Sequence, residues 1–112
     1  MSREQRLVYG KLVRDRIPEM ITARGQIPRT RVLAEQDLFA ALIAKLHEEA
    51  EEVASAEPEA RLGELADVRE VLAALTLALG FTEAEVDEAA ASKRAARGGF
   101  ARRLWLDEVL IP

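Results

Sequence analysis

The chain has 112 residues, room for one domain and one core, with 49% hydrophobic and 32% charged residues, an ordinary globular balance. Its formal net charge of −4 argues against a general binder of nucleic-acid polymers or membrane surfaces. The absence of cysteine rules out disulfides, thiolate metal sites and a cysteine nucleophile.

Aromatic residues make up 4% of the chain, and Ala and Leu, both strong helix formers, dominate. An aliphatic, all-α domain is therefore expected, a bundle of about four helices. A core of this size is modest, so apolar helix faces left exposed would favour self-association. The start, Met1-Ser2-Arg3-Glu4-Gln5-Arg6, lacks the apolar run of a signal peptide, and no stretch is long and apolar enough to span a bilayer. The cytoplasm is the expected location.

Residues 1–8 are polar and expected to be loose. Asp15 is placed to cap a first helix, with Pro18 in its opening turn and Gly25 as its stop. A basic loop follows, with a short strand expected at Thr30–Leu33. Helical periodicity then predicts a long helix from Glu35 to Ser55. Glu57-Pro58 breaks it, and a second long helix is expected from Glu59 to Leu79. Gly80 closes that helix, Thr82 and Glu85 have the spacing of a capping box, and Phe81 and Val86 that of a hydrophobic staple. The last helix is expected to end near Arg97, before Gly98-Gly99. In the tail, Arg103–Val109 could form a short strand pairing near Leu12 or Val32.

The informative anomaly is acidic. On the first long helix, Leu38, Leu42, Leu46 and Val53 form an apolar arc widened by Phe39, Ile43 and Ala50, and Glu49 falls inside it. Glu52 and Lys45 lie at its edge, Glu48 just beyond, and Glu51 on the opposite side. On the second, the expected stripe is Leu62, Leu65, Val68, Leu72, Leu75 and Leu79, with Glu64 among them and Asp67 at the border.

Burying an ionised carboxylate costs several kcal/mol unless it is paired or bound to a cation. Consecutive helices joined by a short turn pack antiparallel, so Glu49, Glu52, Glu64 and Asp67 are expected to converge. Their i, i+3 spacing puts each pair on one face. Hard oxygen donors without His or Cys suit Mg²⁺, or Mn²⁺. The competing reading is a solvated acidic face, its carboxylates paired with Lys45, Arg61 and Arg69.

His47, the single histidine, lies outside the apolar arc and reads as a surface residue. No Ser-His-Asp set, glycine-rich phosphate loop or GK[ST] motif occurs. Two basic groups stand out: Lys93 with Arg97, spaced i, i+4 before Gly98-Gly99-Phe100, and Lys11 through Arg16. The competing reading of the first is an offset to the helix dipole, and that of the second, the stronger of the two competitors, a helix entry with a polar cap. Beside a carboxylate–metal site, Lys11, Arg14, Lys93 and Arg97 suggest a substrate bearing several phosphates.

The run Glu48-Glu49-Ala50-Glu51-Glu52 followed by Glu64-Leu65-Ala66-Asp67 resembles the EExxE…ExxD signature of MazG-like all-α nucleoside triphosphate pyrophosphohydrolases. Lys11–Pro18 and Lys93…Arg97-Gly98-Gly99-Phe100 resemble their phosphoribosyl-ATP pyrophosphohydrolase-like branch. The resemblance implies a homodimer or higher homo-oligomer and Mg²⁺-dependent cleavage between the α and β phosphates of a nucleotide. By motif position it implies Glu49, Glu52, Glu64 and Asp67 as metal ligands, and Glu48 as a further acid near metal or water. It also implies Lys93 and Arg97 as phosphate contacts. Glu48 or Glu52 would accept the proton of the attacking water. A departure is the short link of eleven residues between Glu52 and Glu64, which leaves little room for a base-reading loop. The alternative function is a non-catalytic metal- or nucleotide-binding, or regulatory, helical bundle.

Overall fold

A computed structural model describes residues 5–112. Four α-helices follow in order: α1 (Ile17–Ala23), α2 (Glu35–Ser55), α3 (Arg61–Ala78) and α4 (Glu83–Arg97), with a single 3₁₀ turn (Pro58–Ala60) before α3. The domain is all-α, and no strand occurs among the described residues. The strands expected at Thr30–Leu33 and Arg103–Val109 are thus absent. Both stretches run as irregular chain, and Val32, Leu104 and Leu106 are exposed, so neither has a buried face to hold a register. Of the loose N-terminus expected over 1–8, residues 1–4 lie outside the described residues, and 5–10 form no helix.

The centre of the molecule is the α2–α3 hairpin. Ala56 and Glu57 are extended (ψ 149° and 150°), the conformation favoured before Pro58, and this reverses the chain within a few residues. Leu42, Val71 and Leu75 are buried between the helices, and Leu12, Leu38, Ile43, Leu46 and Ala74 pack partly buried around them. Each buried aliphatic side chain contributes roughly 1.5–3 kcal/mol. The radius of gyration is 19.5 Å, against about 13 Å for a compact chain of roughly 100 residues, so α4 and the tail extend well beyond this core.

The rotation of α3 differs from the expected stripe. Leu62, Leu65, Leu72 and Leu79 are 80%, 55%, 47% and 53% exposed, while Glu64, Asp67, Val68, Val71 and Leu75 lie on the covered side. Because α3 carries Leu around most of its circumference, periodicity alone gives it no single inner face. The seating of Val71 and Leu75 against Leu42 decides the rotation, and it takes both acids inward.

The first helix also begins differently. Arg16, not Asp15, is its N-cap residue, and no side chain caps it. The Ile17 N–H donates to the Arg14 carbonyl at 3.0 Å, so Asp15 sits within a turn ahead of the helix. The later junction is as expected. Gly80 takes φ +82°, a conformation costly for other residues, and ends the α3 turn. Thr82 Oγ1 accepts from the Glu85 N–H at 3.1 Å while Glu85 Oε1 accepts from the Thr82 N–H at 3.0 Å, a complete capping box.

Candidate metal centre

The hairpin turn brings the last turns of α2 alongside the first turns of α3. As a result, one carboxylate oxygen from each of Glu49, Glu52, Glu64 and Asp67 lies within 4.8 Å of the others. All four residues predicted as ligands are therefore brought together. Glu49 is 6% exposed, the one buried charged residue among those described. Its Oε2 and the Oε2 of Glu64 are shielded from solvent and accept no hydrogen bond from the described residues. An orphaned buried carboxylate oxygen is costly, and a hard cation satisfies it. The residues present thus fit a Mg²⁺- or Mn²⁺-type ion.

Positive charge reaches the cluster from two sides. Lys45, one turn before Glu49, approaches Glu48 at 3.4 Å and Glu49 at 3.5 Å. The segment before α1 crosses the hairpin, where Lys11 Nζ donates to Glu48 Oε1 at 2.9 Å and the Arg14 guanidinium donates to Asp67 Oδ1. Lys11 and Arg14, singled out as phosphate contacts, therefore stand at the acids. Lys93 and Arg97 do not: they are exposed on α4, and neither forms an ion pair among the described residues. Arg61 and Arg69, offered as partners of a solvated acidic face, form none either. His47 is exposed and Glu51 points to solvent, as expected.

These contacts separate the acids electrostatically. The Lys11 ammonium beside Glu48 holds that carboxyl below the usual range, and Glu48 in turn raises Lys11. Burial pushes Glu49 the other way, upward, and the Glu52 carboxylate adds to the rise. Lys11 thus favours the ionised form of Glu48, whereas burial disfavours that of Glu49, a cost that a cation would relieve.

A cavity of about 370 Å³ adjoins the cluster, and sequence reasoning did not anticipate it. Glu49 and Asp67 line both, and Asp15 and Glu70 also line the cavity. The signal for Glu70 was available in its i+3 spacing from Asp67. Asp15 carries instead the sequence signal of a helix cap.

No family model and no solved structure matches the chain. A protein of Mycolicibacterium smegmatis, described as an uncharacterized protein, is 51% identical over 48 residues, which cover 43% of this chain and 49% of that protein. The matched stretch therefore spans about half the length of that relative.

Proposed function

We propose that the protein is a Mg²⁺-dependent nucleoside triphosphate pyrophosphohydrolase, cleaving a nucleotide between its α and β phosphates. The observation that supports this best is the meeting of Glu49, Glu52, Glu64 and Asp67 with two orphaned buried oxygens. These four would hold the ion, and Mg²⁺ when bound supplies charge neutralisation of phosphate oxygens and a more acidic water.

The chain's own groups carry the rest. Lys11 and Arg14, already at the acids, would exchange carboxylate partners for phosphate oxygens as substrate enters. A water attacks the α phosphorus, the bond from that phosphorus to the bridging oxygen breaks, and pyrophosphate leaves. Glu52, which forms no ion pair among the described residues, accepts the proton of the water.

The same reading includes a homodimer. Helical geometry puts Phe39, Ile43, Leu46 and Ala50 of α2 on the same broad side of the hairpin as Leu65, Leu72 and Leu79 of α3. That side lies opposite the cavity and offers a second copy an aliphatic face.

The test is a panel of nucleoside triphosphates and diphosphates incubated with Mg²⁺ or Mn²⁺ and assayed separately for pyrophosphate and orthophosphate. Metal-dependent pyrophosphate release is expected. Orthophosphate alone, or tight nucleotide binding without turnover, would overturn the assignment, the latter in favour of a binding or regulatory bundle.

A further inference from the structure

We propose that the cavity beside the acids receives the ring of the nucleotide and that Asp15 and Glu70 select rings bearing an amino group. This rests on the reading of the acids as a metal–phosphate site.

The cavity volume of about 370 Å³ falls within the range of small-molecule sites. Leu12, Leu38, Leu42, Val71, Ala74 and Leu77 give it apolar walls suited to a flat ring. Its continuity with the cluster through Glu49 and Asp67 fixes the direction of binding. A molecule whose phosphates are held at the acids lays its other end along these walls.

The polar groups of the cavity then decide what that end must offer. The donors there, Arg14 and Lys45, are engaged by Asp67 and by Glu48 and Glu49. The side chains of Asp15 and Glu70, both at the exposed rim of the cavity, form no hydrogen bond or ion pair among the described residues. An ionised carboxylate only accepts. A ring edge carrying an exocyclic amine therefore gains a partner, whereas a carbonyl at the same place sets lone pair against lone pair. Cytosine and uracil differ by this exchange at C4, and adenine and hypoxanthine at C6; in each pair the adjacent ring nitrogen turns from an acceptor to an N–H donor, so the preference requires the carboxylates to meet the exocyclic group itself.

Calorimetric titration with Mg²⁺ and three probes separates the possibilities: inorganic tripolyphosphate, and the α,β-methylene analogues of CTP and UTP, which resist cleavage at the relevant bond. The CTP analogue is expected to bind at least about tenfold tighter than either other probe. Asp15→Asn with Glu70→Gln, which introduces donors, is expected to reduce the CTP-to-UTP preference below about threefold. Ala78→Leu, at an exposed position on the cavity wall, is expected to weaken both nucleotide analogues and leave tripolyphosphate unchanged. Circular dichroism checks that these surface variants remain helical. If all three probes bind alike, or the preference survives the double variant, the cavity proposal is overturned while the metal reading stands. If tripolyphosphate shows no Mg²⁺-dependent binding, the metal reading falls, and the cavity proposal falls with it.

Discussion

Arg14 holds the same carboxylate, that of Asp67, which contributes an oxygen to the four-acid cluster. A basic side chain from before α1 thus stands in for a cation at one corner of the candidate centre. Arg14→Met is expected to have opposite effects on two ligands. Bare Mn²⁺ should bind a fewfold tighter, because Asp67 is released and a repelling charge is gone. Mg²⁺-tripolyphosphate should bind about tenfold weaker, roughly 1.4 kcal/mol, because a phosphate donor is lost. Electron paramagnetic resonance titration of Mn²⁺ and calorimetry of the polyphosphate measure the two. Effects of the same sign would remove Arg14 from the phosphate site.

The acids should fail as a unit for function and not for folding. Glu49→Gln and Asp67→Asn are expected to abolish pyrophosphate release. Glu49→Gln should also raise the metal-free melting temperature, since it removes a buried charge whose Oε2 has no partner. A gain of about 1 kcal/mol corresponds to roughly 4–8 °C in a domain near this size. Glu51→Gln, on the solvent side of α2, should match wild type in both assays. Loss of activity in Glu51→Gln comparable to that in Glu49→Gln would mean the site has been placed on the wrong face.

The pH dependence follows from the opposed shifts. Glu49 is raised in the fold, so its folded form takes up a proton more readily than the unfolded chain. Its contribution to stability is present below the unfolded value and is lost as pH rises through the folded one. Glu48 is lowered, so its contribution is present above the unfolded value and is lost as pH falls through the folded one. Metal-free wild type should therefore gain stability relative to Glu49→Gln on acidification through the carboxylate range. Relative to Glu48→Gln it should lose stability over the same range. Urea unfolding of the three proteins across that range checks both signs, and parallel curves would contradict them.

Much of this was readable in advance because local signals and tertiary needs coincide. The Thr82–Glu85 box and the stop at Gly80 depend on neighbours within one turn, and both formed as spaced. Glu49 was conspicuous because a charge interrupts an otherwise aliphatic arc, and it is buried. The inner face of α3 was not readable in the same way: Leu62 and Leu72 carry the same hydrophobic signal as Leu75, and only contact with α2 distinguishes them. The meetings of Lys11 with Glu48 and Arg14 with Asp67 join positions 37 and 53 residues apart, which no local pattern encodes. The resemblance to MazG-like enzymes named all four acids, yet it stressed Lys93 and Arg97, which stand on α4 without a partner among the described residues.

That contrast gives a kinetic expectation. Lys11→Met and Arg14→Met should each lower kcat/KM by at least about tenfold. Lys93→Met and Arg97→Met should cost less than about threefold, resembling Arg94→Met, which carries the same charge near the same helix end. Tenfold losses at Lys93 and Arg97 with none at Arg94 would instead place α4 at the substrate.

The exposed leucines of α3 make stability a matter of concentration. If Leu65, Leu72 and Leu79 are covered by a second copy, the melting temperature should rise with protein concentration, and Leu72→Glu should abolish the rise. Sedimentation velocity of both proteins gives the mass directly. A monomer at all concentrations would remove the dimer from the proposal.

The thinness of the core has a further consequence for how the molecule opens. With Leu42, Val71 and Leu75 as its buried aliphatic residues, cooperative resistance to unfolding is concentrated where α2 meets α3. Neither α1 nor α4 contains a buried residue, so each can melt and re-form while the hairpin stays closed. Amide protons should therefore exchange first from the flanking helices and last from the turns bearing Val71 and Leu75. The four acids are mounted on this late-opening unit, while Arg14 comes from a segment that can lift away. Loosening at the edges would then expose the cluster to ions without dismantling it.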